Sequence, residues 1–222
     1  MKRHALVLLV VATSLAGRAA AAEPADALKA ATAAASYAFK VEQQSGAPGA
    51  VEAKYQKGQP LWCKADNIEL FKKGDALVYR DGDKWMRSKR GITSDPLRVL
   101  GAVARASTLR LPHEELAAVA KGVKGGWKAA GKEDGCTVYA ADLTPEAARQ
   151  LAPTAQQSVA RGGTARLCIN SDGKLVKYTL AIRLEGRLGN ADVDGTAPRT
   201  VTLSGVGSTR VEVPVAARKA LE

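Results

Sequence analysis

The most regular alternation of apolar and polar side chains lies in residues 174–187, KLVKYTLAIRLEGR. Alternation with a period of two is typical of a β-strand that buries one face. The residues predicted to share the apolar face are Val176, Tyr178, Leu180, Ile182 and Leu184. At about 3.3 Å per residue such a strand spans more than about 40 Å. We therefore expect it to lie in a strongly curved or twisted sheet.

Between Val51 and Ser88 the sequence changes to short β-rich runs that are separated by turn residues. The turns are predicted at residues 58–60, 74–75 and 81–83, which combine Gly, Pro and Asp. This pattern indicates a meander of antiparallel strands. Four apolar residues in the meander alternate with their neighbours and are expected to face the same interior: Ile68, Leu70, Leu77 and Tyr79.

Four segments have helical composition or helix-start signals. They are residues 26–35 with Asp26 as the cap, 97–106 after Asp95 and Pro96, 113–123 after Pro112, and 145–160 with Thr144 as the cap. Gly125 and Gly126 are interpreted as the stop of the third helix. Further strands are predicted at residues 136–143, 164–170, 199–206 and 208–213.

The first 22 residues have the order of a secretory signal peptide. Basic residues at 2–4 precede the apolar run 5–12, and small residues end at Ala22. The alternative is a membrane anchor, but Thr13, Ser14 and Arg18 interrupt the run well short of the roughly 20 apolar residues that a spanning helix needs. We expect cleavage after Ala22 and a periplasmic or secreted chain. Residues 23–222 are then expected to form a single domain, without a lipid anchor, because no cysteine precedes Cys63.

The composition is that of an ordinary globular protein, with 46% apolar and 25% charged residues. The formal net charge is +11, and residues 23–222 keep a net charge of +8, because residues 1–22 contain three of the 33 Lys and Arg residues and none of the 22 acids. Outside the cytoplasm, an anionic membrane surface is a possible partner for such a chain. Solubility alone is the alternative explanation of the charge. Nucleic acid is not expected as a partner.

The three cysteines, Cys63, Cys136 and Cys168, predict one disulfide and one free thiol in an oxidising compartment. Cys136 and Cys168 lie in predicted strands on either side of the last helix, and such strands are often neighbours. We therefore expect a disulfide between Cys136 and Cys168 and a free Cys63.

No catalytic, metal or cofactor motif is visible. His113 is the only histidine after residue 22, so a site with two histidines is excluded, and we interpret it as a solvated or capping residue. The glycine-rich segment 122–128 lacks the phosphate-loop pattern. Acid pairs such as Glu114 and Glu115 fit helix starts and turns. We expect a binding protein without a cofactor, not an enzyme.

The order of elements resembles the bacterial lipoprotein-carrier superfamily of LolA-type carriers, LppX/LprG-type lipoproteins and RseB-type regulators. The similarity is strongest in residues 164–186, TARLCINSDGKLVKYTLAIRLEG, and 199–221, RTVTLSGVGSTRVEVPVAARKAL. The resemblance implies an α+β fold in which a strongly curved antiparallel sheet, an incomplete barrel, is covered on its concave side by helices. It also implies a cavity for acyl chains.

The expected function is that of a monomeric periplasmic carrier or chaperone that binds a lipid or the acyl chains of a lipoprotein. A regulatory or scaffolding module that binds a protein partner is the alternative, and an unrecognised hydrolase is a third hypothesis. The apolar residues of the long strand and the meander are expected to line the ligand cavity. A filled core is equally compatible with their periodicity.

Overall fold

The computed structural model describes residues 23–43, 49–88, 97–152, 157–188 and 191–222. These residues form an α+β protein with eleven antiparallel strands in one sheet and five helices. The predicted signal peptide lies outside the described residues, and so do Asp95 and Pro96.

The N-terminal half begins with a helix and continues as six antiparallel strands. The helix is predicted to start at an Asp26 cap, but it begins earlier, with Glu23 at the cap position and Asp26 in the first turn. The last five strands agree with the meander that the sequence predicts, whereas the first was not predicted. The elements are α1 (Pro24–Ala33), β1 (Ser36–Gln43), β2 (Gly49–Gln56), β3 (Leu61–Ala65), β4 (Ile68–Lys73), β5 (Ala76–Asp81) and β6 (Lys84–Arg87).

The middle of the chain contains three helices and two strands: α2 (Leu97–Thr108), α3 (Pro112–Gly122), β7 (Val123–Glu133), β8 (Cys136–Leu143) and α4 (Pro145–Leu151). The interpretation of Gly125 and Gly126 as a helix stop is wrong, because α3 ends at Gly122 and both glycines lie in β7 with positive φ. A Cβ at Gly122 would collide with Ala147, so the close approach of α3 and α4 requires glycine there.

Thr144 caps α4 as predicted, with its Oγ1 accepting a hydrogen bond from the backbone N of Ala147 at 3.3 Å. The helix is shorter than expected and ends at Leu151. The C-terminal elements are β9 (Gln157–Ile169), β10 (Leu175–Leu188), β11 (Ala191–Ser204) and α5 (Val215–Leu221). The long strand predicted at residues 174–187 is confirmed as β10. Residues 208–213 are not a strand, and α5 was not predicted.

The order of the strands is β6-β5-β4-β3-β2-β1-β11-β10-β9-β8-β7. Strand β1 joins the two halves, because it pairs with β2 on one side and with β11 on the other, where Val41 lies opposite Val201. Within the described residues β6 and β7 are the two edges of the sheet and do not pair, so the sheet is not closed.

One face of the sheet, here called the inner face, packs against α1, α2, α3 and α4 in a single large core. Leu28, Ala102, Leu116 and Ala148 are representative helical members of that core. The outer face has two smaller clusters. In the first, α5 packs on β4 and β5 through Phe71, Val78, Val211, Ala217 and Leu221. The second surrounds Cys136, Val138 and Cys168.

The face assignment of Val176 is wrong. A register irregularity between Leu175 and Lys177 interrupts the pairing of β10 with β9. One extra residue at such a bulge reverses the alternation of side chains. Leu175 therefore belongs to the inner core, whereas Val176 packs beside the disulfide on the outer face.

The predicted disulfide between Cys136 and Cys168 is present, with a Cα–Cα distance of 5.5 Å, and it links the neighbouring strands β8 and β9. Cys63 is free, as predicted, and completely buried. Its burial raises the pKa of the thiol to about 12, so Cys63 is an unreactive member of the core.

Candidate functional site

A cavity of about 420 Å³ lies on the inner face, between the centre of the sheet and the ends of α2 and α4. Its volume is within the range of about 300–1,000 Å³ that is typical of small-molecule sites. The lining residues are Val41, Gly49, Val51, Arg105, Ser107, Thr108, Leu109, Arg110, Leu151, Leu180, Ile182, Ala197 and Arg199.

The sheet contributes an apolar floor to this cavity. Val41, Val51, Leu180 and Ile182 come from β1, β2 and β10, and each is a buried member of the inner core. Ala197 of β11 lies opposite Ile182 in the register and leaves space above the strands, because its side chain is a single methyl group. The floor can therefore contact an apolar chain.

Three arginines add positive charge to the lining of the cavity. Arg105 comes from the last turn of α2, Arg110 from the connection between α2 and α3, and Arg199 from β11. Ser107 and Thr108 add hydroxyls, but each donates to the carbonyl of Ala104 in α2, at 2.8 and 3.1 Å. The guanidinium groups are therefore the donors that remain for a ligand.

A buried ion pair anchors Arg199. Its Nη1 donates to Oε1 of Glu115, and the hydroxyl of Tyr178 donates to Oε2 of Glu115 at 2.6 Å. Glu115 is only 2% exposed, and its burial raises the pKa of the carboxyl while Arg199 and Tyr178 oppose that shift. Burial, together with the neighbouring Glu115, holds the pKa of Tyr178 well above its usual value. The network fixes the position of Arg199 beside the cavity.

The other two arginines connect separate elements. Arg110 donates to the carbonyls of Gln150 and Ala152, the latter at 2.9 Å, and thus ties the α2–α3 connection to the end of α4. Arg105 forms an ion pair with Asp66 in the β3–β4 turn. These contacts hold the three cationic elements around one space.

His113 lies in the first turn of α3, where it is half-buried and does not cap the helix, for which Leu111 is the cap residue. Its Nδ1 is 2.5 Å from the hydroxyl of Tyr37, and its ring packs on Tyr55 with centroids 4.8 Å apart. Burial lowers the pKa of His113 and raises the pKa of Tyr37. Both shifts favour the uncharged forms, and the tautomer of the imidazole decides which of the two groups donates.

The residues that were predicted to line a cavity have three different locations in the structure. Leu180 and Ile182 do line it. Six others are buried in the inner core without lining this cavity: Ile68, Leu70, Leu77, Tyr79, Tyr178 and Leu184. Val176 lies on the outer face.

Sequence reasoning missed Glu115 and Arg199, although each had a detectable signal. Glu115 occupies the same helical face as Pro112, Leu116 and Val119, which are all buried. Arg199 alternates in step with Val201 of β11 and therefore faces inward. Each of these two residues is a charged side chain on the otherwise apolar face of its element, and the two charges have opposite signs. Such a pattern indicates a buried ion pair.

No group of three potential metal ligands occurs in the described part of the chain. Within the same residues, no helix is long and apolar enough to cross a membrane.

No protein-family profile matches the sequence, and no curated protein matches it. Solved structures do match. LprF from Mycobacterium bovis is 16% identical, with a TM-score of 0.56 over 86% of this chain and 94% of that one. The lipoprotein LppX from Mycobacterium tuberculosis is 14% identical, with a TM-score of 0.52 over 85% of this chain and 94% of that one.

A LolA superfamily protein from Nitrosomonas europaea is 12% identical, with a TM-score of 0.29 over 90% of this chain and 97% of that one. The two mycobacterial structures establish that the chain has an LppX/LprF-like fold, in agreement with the LppX-type fold that the sequence resemblance implies. At these identities the likeness concerns the fold.

Proposed function

We propose that the chain is an exported carrier that binds a lipid, or the acyl chains of a lipoprotein, without catalysis. The supporting observation is the cavity of about 420 Å³ on the inner face, with its apolar floor of Val41, Val51, Leu180 and Ile182. In this proposal the inner face is the concave side of a curved sheet, and α2 and α4 form its cover. The predicted cleavage after Ala22 and the Cys136–Cys168 disulfide support export.

The burial of methylenes contributes a large share of the energy for this task. Each buried methylene contributes about 0.8 kcal/mol, so a chain with about ten buried methylenes contributes about 8 kcal/mol before costs. Association and ordering oppose binding by about 4 kcal/mol or more. The acyl chain alone is then bound weakly, so release is easy and tight capture needs a head-group contact in addition.

The test is to identify co-purifying lipid. The full chain would be expressed in a bacterium with a periplasm, purified without detergent and analysed by native mass spectrometry and lipid extraction. We expect bound lipid in stoichiometric amount. A chain without lipid that also fails to bind a fluorescent fatty acid would contradict the proposal and favour a protein-binding module.

A matched pair of variants assigns binding to this cavity. Ala197→Phe places a ring over the apolar floor, whereas Ala38→Phe places the same ring on the outer face of β1. We expect Ala197→Phe to lose most of the bound lipid and Ala38→Phe to retain it, with both variants folded by circular dichroism. Equal lipid content in the two variants would place the ligand elsewhere.

A further inference from the structure

Two guanidinium groups at the cavity have buried donors without an acceptor. Nη2 of Arg199 and Nε of Arg105 are inaccessible to solvent and make no hydrogen bond to the described residues. Both side chains are only 16% exposed. A buried donor without an acceptor costs about 1–3 kcal/mol, and native proteins rarely leave one without a reason.

The protein's own carboxylates pair with only one nitrogen of each guanidinium group. Glu115 accepts from Nη1 of Arg199, and Asp66 pairs with Nη2 of Arg105. A guanidinium has five N–H donors in a planar fork, so each group has donors left for another acceptor. Both arginines also line the cavity, where an oxyanion is the ligand group that a charged, planar guanidinium binds best.

The local charge also favours an anion. Three arginines line the cavity, and among the described residues the carboxylates paired with them are Asp66 and Glu115. Arg110 uses donors on the carbonyls of Gln150 and Ala152, which carry no full charge. This group of residues therefore has an excess of one positive charge, in a site partly shielded from water.

We propose that the cavity selects an anionic amphiphile, whose carboxylate or phosphate oxyanion binds Arg105 and Arg199 while its acyl chain lies on Leu180 and Ile182. This inference rests on the proposed function and names its ligand class. Arg110 acts as a positioning residue, because it ties α4 to the α2–α3 connection.

The test compares ligands that share one alkyl chain and differ only in the head group: palmitate, hexadecyl phosphate, hexadecanol and hexadecyltrimethylammonium. Affinities would be measured on delipidated full chain by displacement of a fluorescent probe. We expect at least one of the two anions to bind about tenfold or more tightly than hexadecanol, and the cation to bind more weakly than hexadecanol. The two anionic arms distinguish a fatty-acid carboxylate from a lipid phosphate.

Arg105→Met tests the head-group contact, because Asp66 is half exposed and tolerates the loss of its partner. Arg149→Met is the matched control, since Arg149 is an exposed residue of α4 that pairs with Glu146. We expect Arg105→Met to weaken the preferred anion by about tenfold with hexadecanol unchanged, and Arg149→Met to change neither. Arg199→Lys keeps the charge beside Glu115 but lacks the planar fork, so the preference should decrease while the fold remains.

The outcomes separate the two hypotheses. Equal affinity for the anions and hexadecanol, or an equal loss for all ligands in Arg105→Met, would overturn the anionic selectivity and leave the carrier function standing. Absence of binding for every ligand, hexadecanol included, would contradict the carrier function itself.

Discussion

Tyr178 and Ile182 lie on the same face of β10, four residues apart, but they have different surroundings. Tyr178 is 1% exposed and donates to Glu115 from α3, so that part of the inner face is filled. Ile182 is also buried from bulk solvent, yet it lines the cavity together with Leu180. We call the part of the inner face around Tyr178 the filled region and the part around Leu180 and Ile182 the hollow region, so one regular strand contributes to both. The difference arises from the helices above the strand.

The filled region should be most sensitive to loss of Glu115. Glu115→Leu leaves Arg199 without its carboxylate partner, and breaking a buried ion pair in this way typically costs about 3–5 kcal/mol. We expect a loss of about 3 kcal/mol in the free energy of unfolding, at the lower end because Arg199 is 16% exposed. Urea unfolding of the delipidated chain measures it.

The double variant Glu115→Leu/Arg199→Met is the control for that prediction. Removing both charges leaves no unpaired ion, so most of the lost stability should return. A double variant as unstable as Glu115→Leu would mean that the packing of Glu115 or its hydrogen bond from Tyr178, and not its pairing with Arg199, supports the filled region.

A matched pair of leucines compares the two regions directly. Leu70 is fully buried in the inner core and does not line the cavity, whereas Leu180 is 3% exposed and does. Leu→Ala in a filled core costs about 2–5 kcal/mol, and the cost rises with the volume of the cavity that is created. We expect Leu70→Ala to cost about 3 kcal/mol and Leu180→Ala about half of that.

The same two variants should differ in ligand binding. Leu180→Ala removes contacts to an acyl chain and should weaken fatty-acid binding, while Leu70→Ala should leave it unchanged in the folded fraction. Equal costs in urea unfolding, together with equal binding, would show that the two regions are packed alike and that the cavity is closed in solution.

The wall of the hollow region depends on α4, a helix of two turns. Its cap Thr144 accepts from the backbone N of Ala147, and Thr→Ala at such a position costs about 1 kcal/mol. We expect Thr144→Ala to lower the melting temperature slightly, while Thr144→Ser retains the cap and the wild-type value. Hydrogen exchange in residues 145–151 should increase only in the alanine variant.

Much of the fold could be predicted from the sequence because it depends on local patterns. Alternation identified β10, and turn residues identified the meander. The disulfide was predicted from the order of its strands. Val176 was placed on the wrong face because a bulge depends on the pairing with β9, which alternation within one strand does not report.

The site was less predictable for a physical reason. Periodicity shows that Leu180 and Leu70 both face inward, but whether helices fill the space above them depends on contacts distant in sequence. The pairing of Glu115 with Arg199 joins residues 84 positions apart. Each charge could be recognised on an apolar face, whereas their meeting required the arrangement of α3 over β11.

The smallest expected effect concerns His113, at the filled end of the inner face. Its pKa is lowered by burial, so the unfolded chain binds more protons than the folded chain between the folded pKa and about 6.5. This group therefore makes stability rise with pH in that interval, and its contribution is lost as the pH falls.

His113→Gln removes this titration, and His113 is the only histidine in residues 23–222. Glu115 titrates with the opposite sign, because its raised pKa makes stability fall as the pH rises, so the informative quantity is the difference between wild type and variant. We expect the wild type to lose more stability than the variant on going from about pH 7.5 to about pH 5.5, the range in which histidine changes charge. Thermal unfolding at the two pH values measures this difference. Parallel losses in the two proteins would show that His113 is as solvated in the folded chain as in the unfolded chain, and that the filled end admits water as the cavity does.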